Sequence, residues 1–399
     1  MQFFSRRAAA LTGVTAVVVT VAVAAYAFSH NSRPSLPPPL STAGAAALNK
    51  IDIGLGFYLA RLNSAQDDAG RVAEAVEQWI KRGRLTADGA DFDSALTLLD
   101  KADKLIGSDT RLYNERGHVL RARHRFVEAR AVARKGLEKY PDDEDLLALE
   151  ADSALYAGDM REGEAGFRKV LAVNDRISAP WIGLAYWAEI TGDLEQAVDL
   201  LNRAIEAAYP RPLAYERQAY VHSVLGEVRA KEGDMKEARR QYSWALSIRP
   251  DYPAARTGLV DVEQWEGHDA EAEKLLRGLI ESESPNADFQ IKLADLRERL
   301  GDKADAATLR KNAEMFYDWS VATGYDGYLR PLSTLKLADG DYRRAAELAA
   351  RDLKIRPTTE SRAIYQNVLA KAKGAGKPVN ESALYHRIGS DVAKVAANP

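Results

Sequence analysis

The sequence predicts an all-α protein, a helical-repeat solenoid of about eight helix pairs with an apolar transmembrane or signal helix at its amino terminus. Three observations carry this prediction. The dipeptide Gly-Asp recurs as Gly158-Asp159, Gly192-Asp193, Gly233-Asp234, Gly301-Asp302 and Gly340-Asp341. Gly267-His268 fills the gap, so that the glycines recur at a period of about 34 residues with two longer steps, after Gly192 and after Gly301. Between these signals the chain is rich in Ala, Leu, Glu, Arg and Lys, with apolar residues at helical spacing, as in Leu194, Ala197, Val198, Leu201, Ala204 and Ile205. Finally, Ala8 to Phe28 contains no charged side chain.

That apolar stretch comes first in the chain. Its 21 residues would span about 30 Å as a helix, roughly the hydrocarbon thickness of a bilayer. Phe3 and Phe4 precede it and Tyr26 and Phe28 close it, where aromatic side chains meet the two interfaces. Residues 1–28 are therefore expected to be a transmembrane anchor or a signal peptide, the latter cleaved near Ala27 within Ala25-Tyr26-Ala27. In both cases Arg6 and Arg7 stay in the cytoplasm and the body is exported. The expected location is the inner membrane, single-pass with a periplasmic body, or the soluble periplasm after cleavage. Residues 29–42 follow as a spacer, in which Pro34, Pro37, Pro38 and Pro39 support neither a helix nor a strand ladder.

Beyond the spacer, residues 43–75 read as amino-terminal capping helices, 76–359 as the repeat array and 360–399 as carboxy-terminal capping helices. Each unit is expected to hold two helices. Glycine ends the first in a left-handed conformation and the following Asp caps the second. Downstream of the glycines, at a constant offset, stand Ala197, Ala238, Ala272, Ala306 and Ala345, with Gly163 as a sixth small residue. Upstream, again at a constant offset, stand Ala151, Ala185, Gly226, Ala294 and Ser333, and stepping back by one repeat length adds Gly83 with Ala95 and Gly117 with Ala129. Small residues at these places let the paired backbones approach closely.

The pattern resembles the tetratricopeptide repeat family, whose unit is about 34 residues long. Units start near 76, 110, 144, 178, 219, 253, 287 and 326. The fourth matches best, through Trp181, Leu184, Ala185, Gly192, Asp193, Ala197 and Ala204; the fifth follows through Leu225, Gly226, Gly233, Ala238, Tyr242, Ala245 and Pro250. Val260, Leu279 and Asp352 stand where small residues are expected, which predicts less regular packing there. The resemblance implies a right-handed solenoid, no enzymatic activity, and a concave groove that binds protein or peptide partners. Carried over residue by residue, the groove positions are Arg111, Asn114, His118, Arg121, Tyr156, Tyr186, Glu189, Tyr220, Lys231 and Trp265, with Asp261, Asp288 and Asp295 at an acidic end.

Composition narrows the chemistry. The 399 residues include no cysteine, which removes thiolate metal sites, disulfides and cysteine nucleophiles together, and a net charge of -3 gives no electrostatic case for nucleic acid. None of the six histidines forms a close ligand pair with another. No catalytic residue, metal site or cofactor is expected. Asp91-Phe92-Asp93 has part of the spacing of a calcium loop and is better read as helix capping; Asp142 to Asp145 reads as a solvated turn feeding the next helix. The functional reading is a scaffold for an envelope assembly or polysaccharide-export machine. Two alternatives stand beside it. One is a carbohydrate-binding or polysaccharide-modifying factor using Phe316, Tyr317, Trp319, Tyr325 and Tyr328, and the other a self-assembling solenoid, a homo-oligomer.

Overall fold

The computed structural model describes residues 40–62, 68–107, 109–208, 215–282 and 286–389. The expected membrane or signal segment, 1–28, and all but the last three residues of the spacer lie outside them. Among the described residues, no helix is long and apolar enough to cross a membrane. The described residues form 19 α-helices and one 3-10 turn, with no strand.

The helices follow in antiparallel pairs. A leading helix α1 (Thr42–Leu62) packs on α2 (Ala69–Thr86), which pairs with α3 (Gly89–Ile106). Further pairs are α4 (Thr110–Ala122) with α5 (Phe126–Leu137), α6 (Glu144–Tyr156) with α7 (Met160–Val173), and α8 (Ser178–Thr191) with α9 (Leu194–Ala208). Then come α10 (Tyr215–Lys231) with α11 (Met235–Ile248), α12 (Pro253–Trp265) with α13 (Asp269–Ile280), and α14 (Ala287–Arg299) with α15 (Lys303–Ala322). The last are α16 (Leu329–Ala338) with α17 (Tyr342–Ile355), and α18 (Thr359–Gly374) followed by α19 (Glu381–Ile388). The start of the array expected at 76 falls inside α2, which is capped at Asp68 and already buries Ala69 and Val72.

The turn chemistry explains the pairing. Gly158, Gly192, Gly233, Gly267, Gly301 and Gly340 all adopt φ between 77° and 92°, the left-handed region in which a side chain is disfavoured. The Asp that follows caps the next helix: Asp159, Asp234, Asp302 and Asp341 each accept from the backbone N–H three residues on, at 3.3, 3.0, 3.1 and 3.1 Å. The two earlier units depart, and in the first of them Ala87 ends the helix at φ of 53°. His124, one repeat length before Gly158, holds φ of 60° with a side chain in place.

Small residues sit at the helix crossings. Ala151, Ala185, Ala197, Ala238, Ala272, Ala294 and Ala345 are fully or almost fully buried. Val260 and Leu279 are fully buried as well, so the sixth unit absorbs them in its core cluster with Leu276 and Leu293. Asp352, also fully buried, is held by Arg330 Nε at 2.8 Å, Arg356 Nε at 2.6 Å and Ser361 Oγ at 2.7 Å. The departure read from the sequence is thus a buried ionic knot, paired and hydrogen-bonded as buried charge requires.

The array closes on itself. The segment after α15 meets the first two units: Gly89 N–H donates to Thr323 Oγ1 at 3.3 Å, and Arg123 Nη2 donates to Gly324 O at 2.9 Å. Tyr325 stacks on Phe92 with ring centroids 5.6 Å apart. Arg356 Nη1 lies 3.2 Å from His124 Nδ1, and the Gly158 turn abuts Pro357. At the other end, Ser41 Oγ donates to Ser282 O at 2.9 Å, which ties the start of α1 to the turn after α13.

Candidate functional site

Closure turns part of the concave face into a hollow of about 920 Å³. The first helices of the early units, α2, α4, α6 and α8, supply one wall; Arg330, Arg356 and Thr358 to Glu360 supply the other. A ladder of rings runs along the first wall, since Tyr156 stacks between Phe126 and Tyr186 with centroids 5.0 Å apart on each side. Beside it stand Arg84, His118 and Arg121, and across α2 and α4 stand Glu74, Glu77 and Glu115.

The electrostatics of these groups differ from those of ordinary surface residues. His118 is pushed down to about 4 by the protein around it and by the positive charges of Arg121 and Arg84, so its imidazole is neutral at pH 7. Glu115 is pushed up to about 7 by burial and by the charge of Glu77. Burial also lowers the Arg84 guanidinium from its ordinary value. Arg121 forms an ion pair with Asp152.

The ten residues expected in the groove are distributed unevenly. His118, Arg121, Tyr156 and Tyr186 line the hollow together. Arg111 instead folds back on its own helix cap, with Nε and Nη2 at 3.1 and 3.0 Å from the Asp109 carboxylate. Asn114 is buried between units. Glu189 and Lys231 neutralise one another at 2.6 Å, and Lys231 also reaches Glu227 at 2.7 Å. Tyr220 and Trp265 stay exposed, at 42% and 65%, outside the hollow. At the end expected to be acidic, Asp261 is paired with Lys292 and Asp295 with Arg310, while Asp288 accepts from Tyr317 Oη. A lysine from the next unit and an arginine from the paired helix thereby neutralise Asp261 and Asp295.

Arg84, Glu74, Glu77, Glu115, Arg330, Arg356 and Glu360 were missed as lining residues. For Arg84 a signal existed: it precedes His118 by one repeat length, the same register position one unit earlier. For Arg330, Arg356 and Glu360 there was none, because nothing local in a repeat says where the superhelix returns.

Other sequence readings resolve here. Phe316, Tyr317, Trp319, Tyr325 and Tyr328 pack at the corner after α15, with Tyr317 and Trp319 almost wholly buried and the other three half-buried. Asp91 does not cap a helix. Asp88 is the cap of α3, whereas Asp91 is buried on Arg82 Nη1 at 2.5 Å, and burial pushes its carboxyl up to about 6. Asp93 pairs with Arg123. In the Asp142 to Asp145 run, Asp143 caps α6 by accepting from Leu146 N–H at 2.9 Å. Glu263, Glu266 and His268 converge closely enough for a cation, but Arg239 already occupies both carboxylates, at 2.6 and 2.8 Å.

The fold defines an all-helical repeat solenoid. Residues 149–211 and 229–296 each match a tetratricopeptide repeat model. No curated protein sequence matches the chain. Among solved structures, pilF of Pseudomonas aeruginosa is similar at 19% identity over 54% of this chain and 94% of its own, with a TM-score of 0.42. The APC/C hetero-tetramer Cut9-Hcn1 is similar at 14% identity over 77% of this chain and 56% of its own, TM-score 0.48. PilW, a type IV pilus biogenesis factor, is similar at 15% over 54% and 96%, TM-score 0.44.

Proposed function

We propose that the chain is a protein-binding scaffold, without catalytic activity of its own, tethered by residues 8–28 to the inner membrane with its body exported, where it serves an envelope assembly or polysaccharide-export machine. The observation that carries the binding role is the hollow. Its ring ladder, through the half-buried Tyr156 and Tyr186, offers apolar ring surface beside Arg84, Glu74 and Glu115, which have no opposite charge on them among the described residues, the combination by which extended peptides are held. The export step rests on the uncharged run that follows Arg6 and Arg7.

Photo-crosslinkers placed in cells at Tyr186, Tyr220 and Trp265, with Lys169 on the second helix α7 as control, test the binding role. A defined partner trapped from the first three positions and not from Lys169 is expected; equal yields from all four overturn it. A reporter enzyme fused after residue 399 should be active only on the exported side. A mature form starting at Phe28 would identify a cleaved signal in place of an anchor.

A further inference from the structure

The hollow has a polarity of its own. As first helices of adjacent units, α2 and α4 run parallel, and both change sign in the same direction. Glu74 and Glu77 precede Arg84 on α2; Glu115 precedes His118 and Arg121 on α4. Glu77 and Arg84 lie two turns apart along one face, or about 10 Å of helix axis.

Arg121, at the basic pole, is already paired with Asp152, but other groups at the two poles are short of partners. Arg84 has no carboxylate partner among the described residues, and Glu74 and Glu115 have no cationic one. Glu77 reaches only its neighbour Lys81, at 2.7 Å. The charges opposite are already committed, with Arg330 on Asp352 and Glu360, and Arg356 on Asp352. Glu74, Glu77 and Arg84 are exposed and Glu115 is half-buried, all of them lining the hollow, so a molecule that supplies the opposite charge at each pole gains charge-assisted hydrogen bonds there. The protein around Glu115 raises it, with Glu77 adding to the effect, and the protein around His118 lowers it, with Arg121 and Arg84 adding to it, so each also stands beside its own sign of charge.

Building on the scaffold reading above, we propose that the hollow binds an extended peptide segment bearing a cationic and an anionic group about 10 Å apart. The cation lies between Glu74, Glu77 and Glu115, the anion lies at Arg84, His118 and Arg121, and the chain beyond the anion continues along Tyr156 and Tyr186. An extended chain advances about 3.3–3.6 Å per residue, so the two charges stand three residues apart in the ligand.

The test compares two acetylated, amidated hexapeptides of one composition, Ser-Lys-Ser-Ser-Glu-Ser and Ser-Ser-Lys-Glu-Ser-Ser, with all-acidic and all-basic controls. Saturation-transfer NMR against the full-length chain registers binding up to millimolar dissociation constants. The spaced peptide should bind at least about fivefold tighter than the adjacent one, and Arg84→Ala and Glu115→Gln should each abolish that preference while the helical circular dichroism is retained. Equal binding of the two isomers, tighter binding of a uniformly charged control, or no binding of the spaced peptide overturns the proposal. If the spaced peptide fails while Tyr220 and Trp265 still trap a partner in cells, the scaffold reading survives and this inference alone is lost. If both fail, both are lost.

Discussion

Tyr242 sits in a socket formed by two absent side chains. A Cβ on Gly226 would meet its ring at 2.6 Å, and one on Gly258, in the next unit, at 2.1 Å. Gly258→Ala should therefore destabilise the fold by about 1–3 kcal/mol, through overpacking against a buried ring. Tyr220→Ser, at an exposed position, should stay within about 0.5 kcal/mol. Thermal unfolding of the two variants checks the contrast, and equal losses would mean that Tyr220 belongs to the core. Tyr156 is an intermediate case. The family register places it in the groove, yet its ring is held on both faces, so Tyr156→Ser removes two stacks of about 0.5–1.5 kcal/mol each as well as ligand contact. The repeat makes Gly226 legible as a packing residue; the partner that makes it matter is visible only when the helices are assembled.

At the scale of the element, the caps show how far a repeat can drift without losing its helix. Asp234 caps α11, but at the corresponding place in the next unit His268 starts α13 with no side-chain hydrogen bond to the helix end. Asp234→Ala should weaken its unit by about 1 kcal/mol, within the usual range for a lost cap. His268→Ala should cost less than half as much, because its imidazole sits exposed on Glu263 at 2.9 Å and caps nothing. Hydrogen exchange of the α11 and α13 amides measures each effect locally, which suits an array whose units open semi-independently. Faster exchange in α13 than in α11 under matched substitutions would reverse this expectation. The Gly-Asp spacing made most of these turns legible, and His268 was placed among them by register alone.

At the scale of the whole molecule, the closing contact explains the one helix-ending histidine. Where later units have glycine, His124 keeps a left-handed backbone, and its ring meets Phe126, Tyr325 and Arg356. Strain retained at this turn marks a position whose side chain is used. Burial pushes its pKa down to about 3, reinforced by Arg356, Arg330 and Arg84 and opposed by Asp352. An opened form would titrate near the ordinary value of 6.5. Between those two values the open form takes up a proton and the closed form does not. Closure is therefore at full strength above about pH 6.5 and is lost as pH falls through the window, by up to about 1.4 kcal/mol per pH unit. Small-angle scattering should show a larger radius of gyration at pH 5 than at pH 7.5, reversibly. His124→Gly should be expanded already at pH 7.5 while its local backbone is relieved; an unchanged radius would show that the remaining contacts close the array without the histidine.

By itself the sequence determined the local architecture: two helices per unit, their turns, their caps and the small residues at their crossings. All of these depend on neighbours within about 34 residues, the length over which the pattern repeats. Within that reach, His118, Arg121, Tyr156 and Tyr186 could be placed on one inner face. The tertiary structure alone decided which inner-face residues share a cavity, because that depends on small rotations accumulated over many units. It brought Arg356 to His124 and Tyr325 to Phe92, pairs that lie far beyond one repeat length from each other in the chain. It also matched Asp261 and Asp295 with cations and left Arg84 and Glu115 without counterparts among the described residues. A side chain's charge is written in the sequence, but whether that charge is spent or available is settled by what folds against it.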